Sequence, residues 1–272
     1  MGKSGASACP KTNIMKISLI ISTYNAPDKL LLCLESVRRQ IRMPDEVVIA
    51  DDGSTDETKR LIEQEQANFP CPVRHVWHED NGFRLSEIRN KAIIQASGDY
   101  IIQVDGDIIL SRHFVEDHEH SAVVGTFCCG SRCLLTQERT WRIVGDRHFV
   151  PSFWSSGLKA RENALRFRLI SPLFYGGKRC VGCNMAFWRK DLMEVNGYDE
   201  DIRGWGAEDS DIGLRLRMNG VRQRRLKFCA ICFHIWHYEE AKKRSVEDIQ
   251  RIMRNREQER ISFVPNGISR HL

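Results

Sequence analysis

The chain has 272 residues, of which 42% are hydrophobic and 28% charged, and carries a formal net charge of +5. These values suit a soluble globular protein of one large domain or two small ones; no apolar run approaches the roughly 20 residues that span a bilayer. The charge fits an anionic substrate or an anionic membrane face but falls short of a nucleic-acid footprint, so no nucleic-acid partner is expected.

Met1 to Thr12 holds no apolar stretch, and no secretory signal is expected there. Strand and helix signals then alternate. Ile17 to Ser22 is a short β-branched run, and Leu30, Leu31, Leu34, Val37 and Ile41 follow at helical spacing. Glu46 to Ala50 reads as a second strand ending at Asp51-Asp52-Gly53. Ser54-Thr-Asp-Glu57 has the form of a capping box, which starts a helix. Val73 to Trp77 is a third strand and Leu85 to Ala96 a helix closed by Ser97-Gly98. Tyr100 to Val104 is a fourth strand that runs into Asp105-Gly106-Asp107. Strand–helix alternation implies right-handed crossovers and an α/β fold with a mostly parallel twisted sheet flanked by helices. Ligands of such sheets bind beyond the carboxyl ends of the strands, where both acidic clusters fall.

Ser121 to Tyr175 is less regular and reads as an acceptor region. Asp191 to Val195 and Glu208 to Met218 are helical, and Ser245 caps a last helix towards Arg260. The ten cysteines are expected to be reduced. Cys180/Cys183 and Cys229/Cys232 have zinc-like spacing. Phe228 to Phe233, however, reads as a buried strand that would point Cys229 and Cys232 to opposite faces, so no structural zinc is expected. Arg215, Arg217, Arg222, Arg224, Arg225 and Lys227, with Lys242, Lys243 and Arg244, form a basic cluster suited to peripheral membrane contact.

Three segments carry chemistry. Two carboxylates flanking Gly106 can hold a divalent cation against a diphosphate. His234-Ile-Trp-His237 adds imidazoles, which together with carboxylate and phosphate oxygens suit Mn²⁺ or Mg²⁺ better than zinc. In Gly204-Trp-Gly-Ala-Glu-Asp-Ser-Asp211, Trp205 offers a flat face for a sugar ring, and an acid at the helix start is available as a general base.

Thr23-Tyr-Asn25, Asp51-Asp-Gly-Ser54, Asn81-Gly-Phe-Arg84 with Arg89-Asn90, and Asp105-Gly-Asp107 resemble the nucleotide-binding half of family 2 glycosyltransferases, which have the GT-A fold. Gly182 to Phe187, Asn196 to Asp199, Gly204 to Asp209 and His234 to His237 resemble the acceptor half shared by bacterial chondroitin-type polymerases and Golgi β-galactosyltransferases. The resemblance implies a single transferase domain over 14–240, with a nucleotide-sugar half at 14–110, an acceptor half at 120–240, and a helical extension at 241–272. It implies that Thr23, Tyr24 and Asp51 or Asp52 hold uracil and ribose, with Arg84 near the nucleotide. Asp105 would contact the ribose or reach the metal through water, and Asp107 would bind the metal directly. In the galactosyltransferases a methionine and a histidine spaced M-x-x-H complete the metal site; here His234 and His237 stand in those places. Asp209 matches the catalytic base, Glu208 a sugar contact and Trp205 the sugar platform.

The implied activity is inverting transfer of a hexose or hexosamine from a UDP-sugar to a saccharide or lipid-linked saccharide. The setting would be polysaccharide synthesis in the cytoplasm or at the inner face of the cell membrane. A nucleotidyltransferase would want a Gly- and Lys-rich loop where Thr23-Tyr-Asn-Ala-Pro27 stands, and a non-catalytic sugar binder would be expected to lose the acids.

Overall fold

The computed structural model describes residues 15–146, 150–204, 206–238 and 245–272. The first stretch alternates β1 (Ile17–Thr23), α1 (Pro27–Arg38), β2 (Glu46–Asp51), α2 (Asp56–Gln66), β3 (Val73–Trp77), α3 (Leu85–Gln95) and β4 (Tyr100–Asp105). It continues through β5 (Ile108–Leu110), α4 (Phe114–Ser121), β6 (Thr126–Cys129), β7 (Cys133–Leu135), α5 (Gln137–Gly145) and β8 (Leu158–Lys159). Two 3₁₀ segments, Arg161–Ala164 and Arg168–Phe174, precede β9 (Met185–Trp188), α6 (Arg189–Glu194) and α7 (Glu208–Met218). β10 (Arg222–Arg225), β11 (Cys232–His234), α8 (Val246–Glu259) and a final 3₁₀ turn at Ile268–His271 follow.

A seven-stranded sheet has the order β10-β6-β9-β4-β1-β2-β3. β4, β1, β2 and β3 run parallel, while β9 lies antiparallel between β4 and β6. β1 is buried along its whole length. Ile17, Leu19 and Ile21 pack with Leu30 and Leu34 of α1 on one face, and Ile20 packs with Ile88 and Ala92 of α3 on the other. A parallel strand covered on both faces needs such a continuous apolar run. A smaller sheet, β5-β11-β7-β8, pairs Ile108 with His234. It thereby brings the Asp-Gly-Asp turn beside the late histidines.

Several expectations are corrected. α1 stops at Arg38, so Ile41 lies beyond the helix and is exposed, and Leu31 is only half-buried. The cap of α2 is Thr55 rather than Ser54, whose hydroxyl instead accepts from the Asn25 backbone N–H. Ser121 to Tyr175 contains α5 and three strands of two to four residues, too short to show a period. Phe228 to Ile231 is not strand: Phe228 and Ala230 have φ of 62° and 48°, a left-handed backbone that breaks the alternation. The Cys229 thiol meets the Ser171 hydroxyl at 3.1 Å, while Cys232 faces the Ser131 carbonyl. Arg215 belongs to the core rather than to a basic surface. Fully buried, it donates to Asp211 at 2.6 Å and to the Val195 and Gly197 carbonyls. Lys242, Lys243 and Arg244 lie outside the described residues.

The C-terminal stretch closes over α7 and α3. Arg256 of α8 pairs with Asp211 and Asp199, and buried Ile268 joins the apolar cluster beneath α3. Among the described residues no helix is long and apolar enough to cross a membrane.

Candidate active site

The parallel strands β1, β2 and β4 end side by side at Thr23, Asp51 and Asp105. Beyond them opens a cleft of about 410 Å³ lined by Thr23, Tyr24, Asp52, Asp105, Asp107 and His237, among others. This volume lies within the usual range for small-molecule sites. Gly106 lets the β4–β5 turn lie against β1: its N–H donates to the Ser22 carbonyl at 2.7 Å. An added Cβ would meet that oxygen at 3.1 Å and the Thr23 hydroxyl at 3.3 Å.

The two acids of this turn face different partners. Asp107 Oδ2 accepts from His237 Nε2 at 2.8 Å and lies 3.3 Å from His234 Nε2. Burial alone would raise the Asp107 carboxyl, but the two imidazoles hold it far below the usual carboxylate range. Its hydrogen bond to Asp107 raises His237 in return. One ligand atom from each of Asp107, His234 and His237 falls within 4.8 Å of the others. Asp107 Oδ1 is buried without a partner, as is the Thr23 hydroxyl. Buried polar atoms are normally satisfied, and these two line the cleft, where a cation or phosphate oxygens could reach them. A carboxylate and two imidazoles suit a divalent cation that also takes phosphate oxygens.

Asp105 turns the other way. Arg89, 1% exposed, donates to Asp105 Oδ1 and Asp209 Oδ1, each at 3.0 Å, and to the Ser22 hydroxyl. The Arg89 guanidinium thus joins the end of β4 to the start of α7. Asp209 keeps 22% of its side chain exposed. Burial pushes its carboxyl up to about 7 against the pull of Arg89, with Glu208 and Asp105 adding to the rise. A carboxylate poised near neutrality is matched to general-base work. Gly182 packs against it so closely that any Cβ there would overlap the Asp209 carboxylate. The Gln103 side chain donates to the Gly182 carbonyl and accepts from the Tyr198 hydroxyl, fixing that approach.

The three acids of α7 therefore divide. Glu208 Oε2 accepts the N–H groups of Gly206 and Ala207, so it secures its own loop, where Gly204 and Gly206 have φ of 85° and 113°. Asp209 is joined through Arg89 to Asp105, which lines the cleft, and Asp211 is consumed by Arg215 and Arg256. Trp205 lies outside the described residues.

The remaining expected contacts separate as well. Asp51 is fully buried, with its oxygens taken by the Ser54 N–H and by His75. Asp52 lines the cleft while bonding His78 and the Arg84 N–H. Tyr24 is half-exposed, and its hydroxyl donates to Asp80 at 3.0 Å. The Arg84 guanidinium bonds Glu87 and the Glu79 carbonyl, and its side chain lines a neighbouring smaller cavity. Arg89, Gln103 and Gly182 were given no role by sequence reasoning. The signal for Arg89 was present: α3 places it on the buried face, where an arginine needs carboxylate partners.

The model of "Glycosyl transferase family 2" matches residues 18–195, and that of "N-terminal domain of galactosyltransferase" matches 171–238. Validoxylamine A glucosyltransferase of Streptomyces hygroscopicus subsp. limoneus is 28% identical over 77% of this chain and 49% of its own. Chondroitin synthase of Escherichia coli is 36% identical over 80% of this chain and 34% of its own. The chain thus spans about half the first of these relatives and a third of the second. Among solved structures, Staphylococcus aureus TarS 1–349 in complex with UDP-GlcNAc superposes with a TM-score of 0.58 at 23% identity. That match covers 89% of this chain and 65% of that one.

Proposed function

The chain belongs to glycosyl transferase family 2 and has the GT-A fold, and from that premise we propose that residues 14–240 form one transferase domain that moves a hexose or hexosamine from a UDP-sugar to a saccharide hydroxyl with inversion. One observation carries this reading: the Asp107–His234–His237 trio and Asp209 are joined through the two ends of a single Asp-Gly-Asp turn, with Arg89 as the link. The UDP-GlcNAc named for TarS accords with a uracil-bearing donor. The chondroitin synthase relative supports a saccharide acceptor, free or lipid-linked. A cytoplasmic setting accords with the nine free thiols among the described residues.

Asp107, His237 and His234 would hold Mn²⁺ or Mg²⁺. Bound there, the cation supplies positive charge opposite the departing diphosphate. Thr23, Tyr24 and Asp52 line the nucleotide end of the cleft. Asp209 Oδ takes the proton of the acceptor hydroxyl as that oxygen bonds to the anomeric carbon. The bond from the anomeric carbon to the diphosphate oxygen breaks on the opposite face, and its electron pair leaves with UDP. Arg89 keeps Asp209 oriented and balances its charge once ionised.

A thermal-shift screen tests donor and metal together. Bound ligand at a hundred times its Kd adds about 2.7 kcal/mol of apparent stability. One or more UDP-sugars should raise Tm with Mn²⁺ or Mg²⁺ present and do so far less in EDTA. A rise with GDP-sugars alone would overturn the uracil assignment.

The pH profile tests Asp209 separately. The base works ionised, and its carboxyl titrates at about 7. kcat/KM should therefore be full above that value and fall about tenfold per pH unit below it. A flat profile between pH 5 and 8 would remove Asp209 from that role.

A further inference from the structure

The 3₁₀ segment Arg168–Phe174 presents an apolar knob outward. Leu169 is 92% exposed and Leu173 80% exposed, with Phe167 and Ile170 beside them. Isolated exposed leucines are ordinary, but a contiguous apolar patch marks an interaction surface.

The knob is held in place. Its Ser171 is buried and meets the Cys229 thiol at 3.1 Å, the Phe167 N–H donates to the Phe228 carbonyl, and the Arg225 N–H donates to the Tyr175 carbonyl. The anchored inner face leaves Leu169 and Leu173 directed away from the protein.

Charge around the knob is mainly basic: Glu116 and Asp117 of α4 pair with Arg166 and Arg168, and Lys178, Arg179, Arg224 and Lys227 stand in excess of them. Between Glu162 and Asp191 the chain has no carboxylate residue, yet it carries Arg166, Arg168, Lys178 and Arg179 on either side of the apolar run. The β10 end adds more: Lys227 Nζ lies 4.9 Å from the Phe174 ring centre, and Arg224 lies 4.7 Å from that of Tyr175. Part of the basic cluster apparent in the sequence thus converges on this knob.

We infer that the Phe167–Phe174 knob and its basic surround form a docking surface for an anionic lipid bilayer, with Leu169 and Leu173 entering the acyl boundary. Aliphatic side chains beside an excess of basic ones match the headgroup–acyl interface of anionic lipid. A second copy related by a two-fold axis would set that basic excess against itself. A saccharide would want flat aromatic faces and acidic acceptors, whereas the outermost residues are leucines. The inference does not depend on the sugar-transfer reading.

The test is cosedimentation of the full chain with vesicles, without donor or acceptor. Wild type should bind phosphatidylglycerol-containing vesicles at low salt, bind less as salt rises, and leave phosphatidylcholine vesicles alone. Leu169→Ser/Leu173→Ser should lower the partition coefficient at least about tenfold with an unchanged melting temperature, because both side chains are already exposed. Lys178→Glu/Arg179→Glu should lower binding to the anionic vesicles. Absence of wild-type binding, or equal binding by the leucine variant, would overturn the proposal. So would a dimer in sedimentation velocity that the leucine variant converts to monomer, since the occupant would then be a second copy. Each of these failures would leave UDP-sugar transfer untouched.

Discussion

Asp209→Asn should lower transfer by at least about 100-fold while UDP-sugar and metal still bind. An acceptor hydroxyl is a poor nucleophile at neutral pH, and general-base help is typically worth about 10²–10⁴ in rate. Asp209 is suited to give that help because it is partly exposed at the start of α7 and titrates near neutrality. Asparagine keeps the shape and can still accept from Arg89, so the Arg89 bridge to Asp105 should persist. The nearest competitor is its neighbour Glu208. That side chain is 3% exposed and already accepts two backbone N–H groups. Glu208→Gln should therefore act through the 204–207 loop, with a smaller loss in kcat and a lower melting temperature. Normal turnover in Asp209→Asn together with a dead, well-folded Glu208→Gln would move the base by one residue.

Asp107→Ala should cost roughly a thousandfold or more in kcat, since charge stabilisation of a leaving diphosphate is worth several kcal/mol. Asp107 unites the two imidazoles, and its Oδ1 is buried with no hydrogen-bond partner among the described residues. Removing it should not damage the core, because its hydrogen-bond partners are partly exposed. Manganese binding followed by electron paramagnetic resonance should be lost in parallel with activity. Retained manganese affinity with activity abolished would assign Asp107 a different role, and full turnover in EDTA would remove the metal from the reaction.

The N-terminal half was legible because its signals are periodic. The buried runs of β1, β2 and β4 and the helical spacing of the apolar residues of α1 follow from covering a parallel sheet on both faces. They also place Thr23, Asp51 and Asp105 at strand ends. Asp107, His234 and His237 were legible as a group through their motifs. Their meeting depends on the pairing of β5 with β11, a contact that spans 126 residues between Ile108 and His234 and has no local signal. The turn at Phe228 and Ala230 was not legible, since neither residue type marks a left-handed backbone. Nor was the division of labour among Glu208, Asp209 and Asp211. All three are acids in one helical turn, and tertiary placement decides which remains available: the Gly206 and Ala207 N–H groups take Glu208, Arg215 and Arg256 take Asp211, and Arg89 holds Asp209. Arg89 itself could have been singled out, because a guanidinium on the apolar face of α3 requires buried acids to meet it.

Proton NMR of an acceptor-free reaction with a panel of α-linked UDP-sugars and Mn²⁺ separates inverting transfer from its alternatives. Water then serves as a slow acceptor, and the anomer first formed reports the stereochemistry. UDP and the β-anomer of the sugar should appear together, only with metal present, and Asp209→Asn should slow both. First appearance of the α-anomer, or no UDP from any donor under conditions where the protein binds one, would contradict inverting transfer.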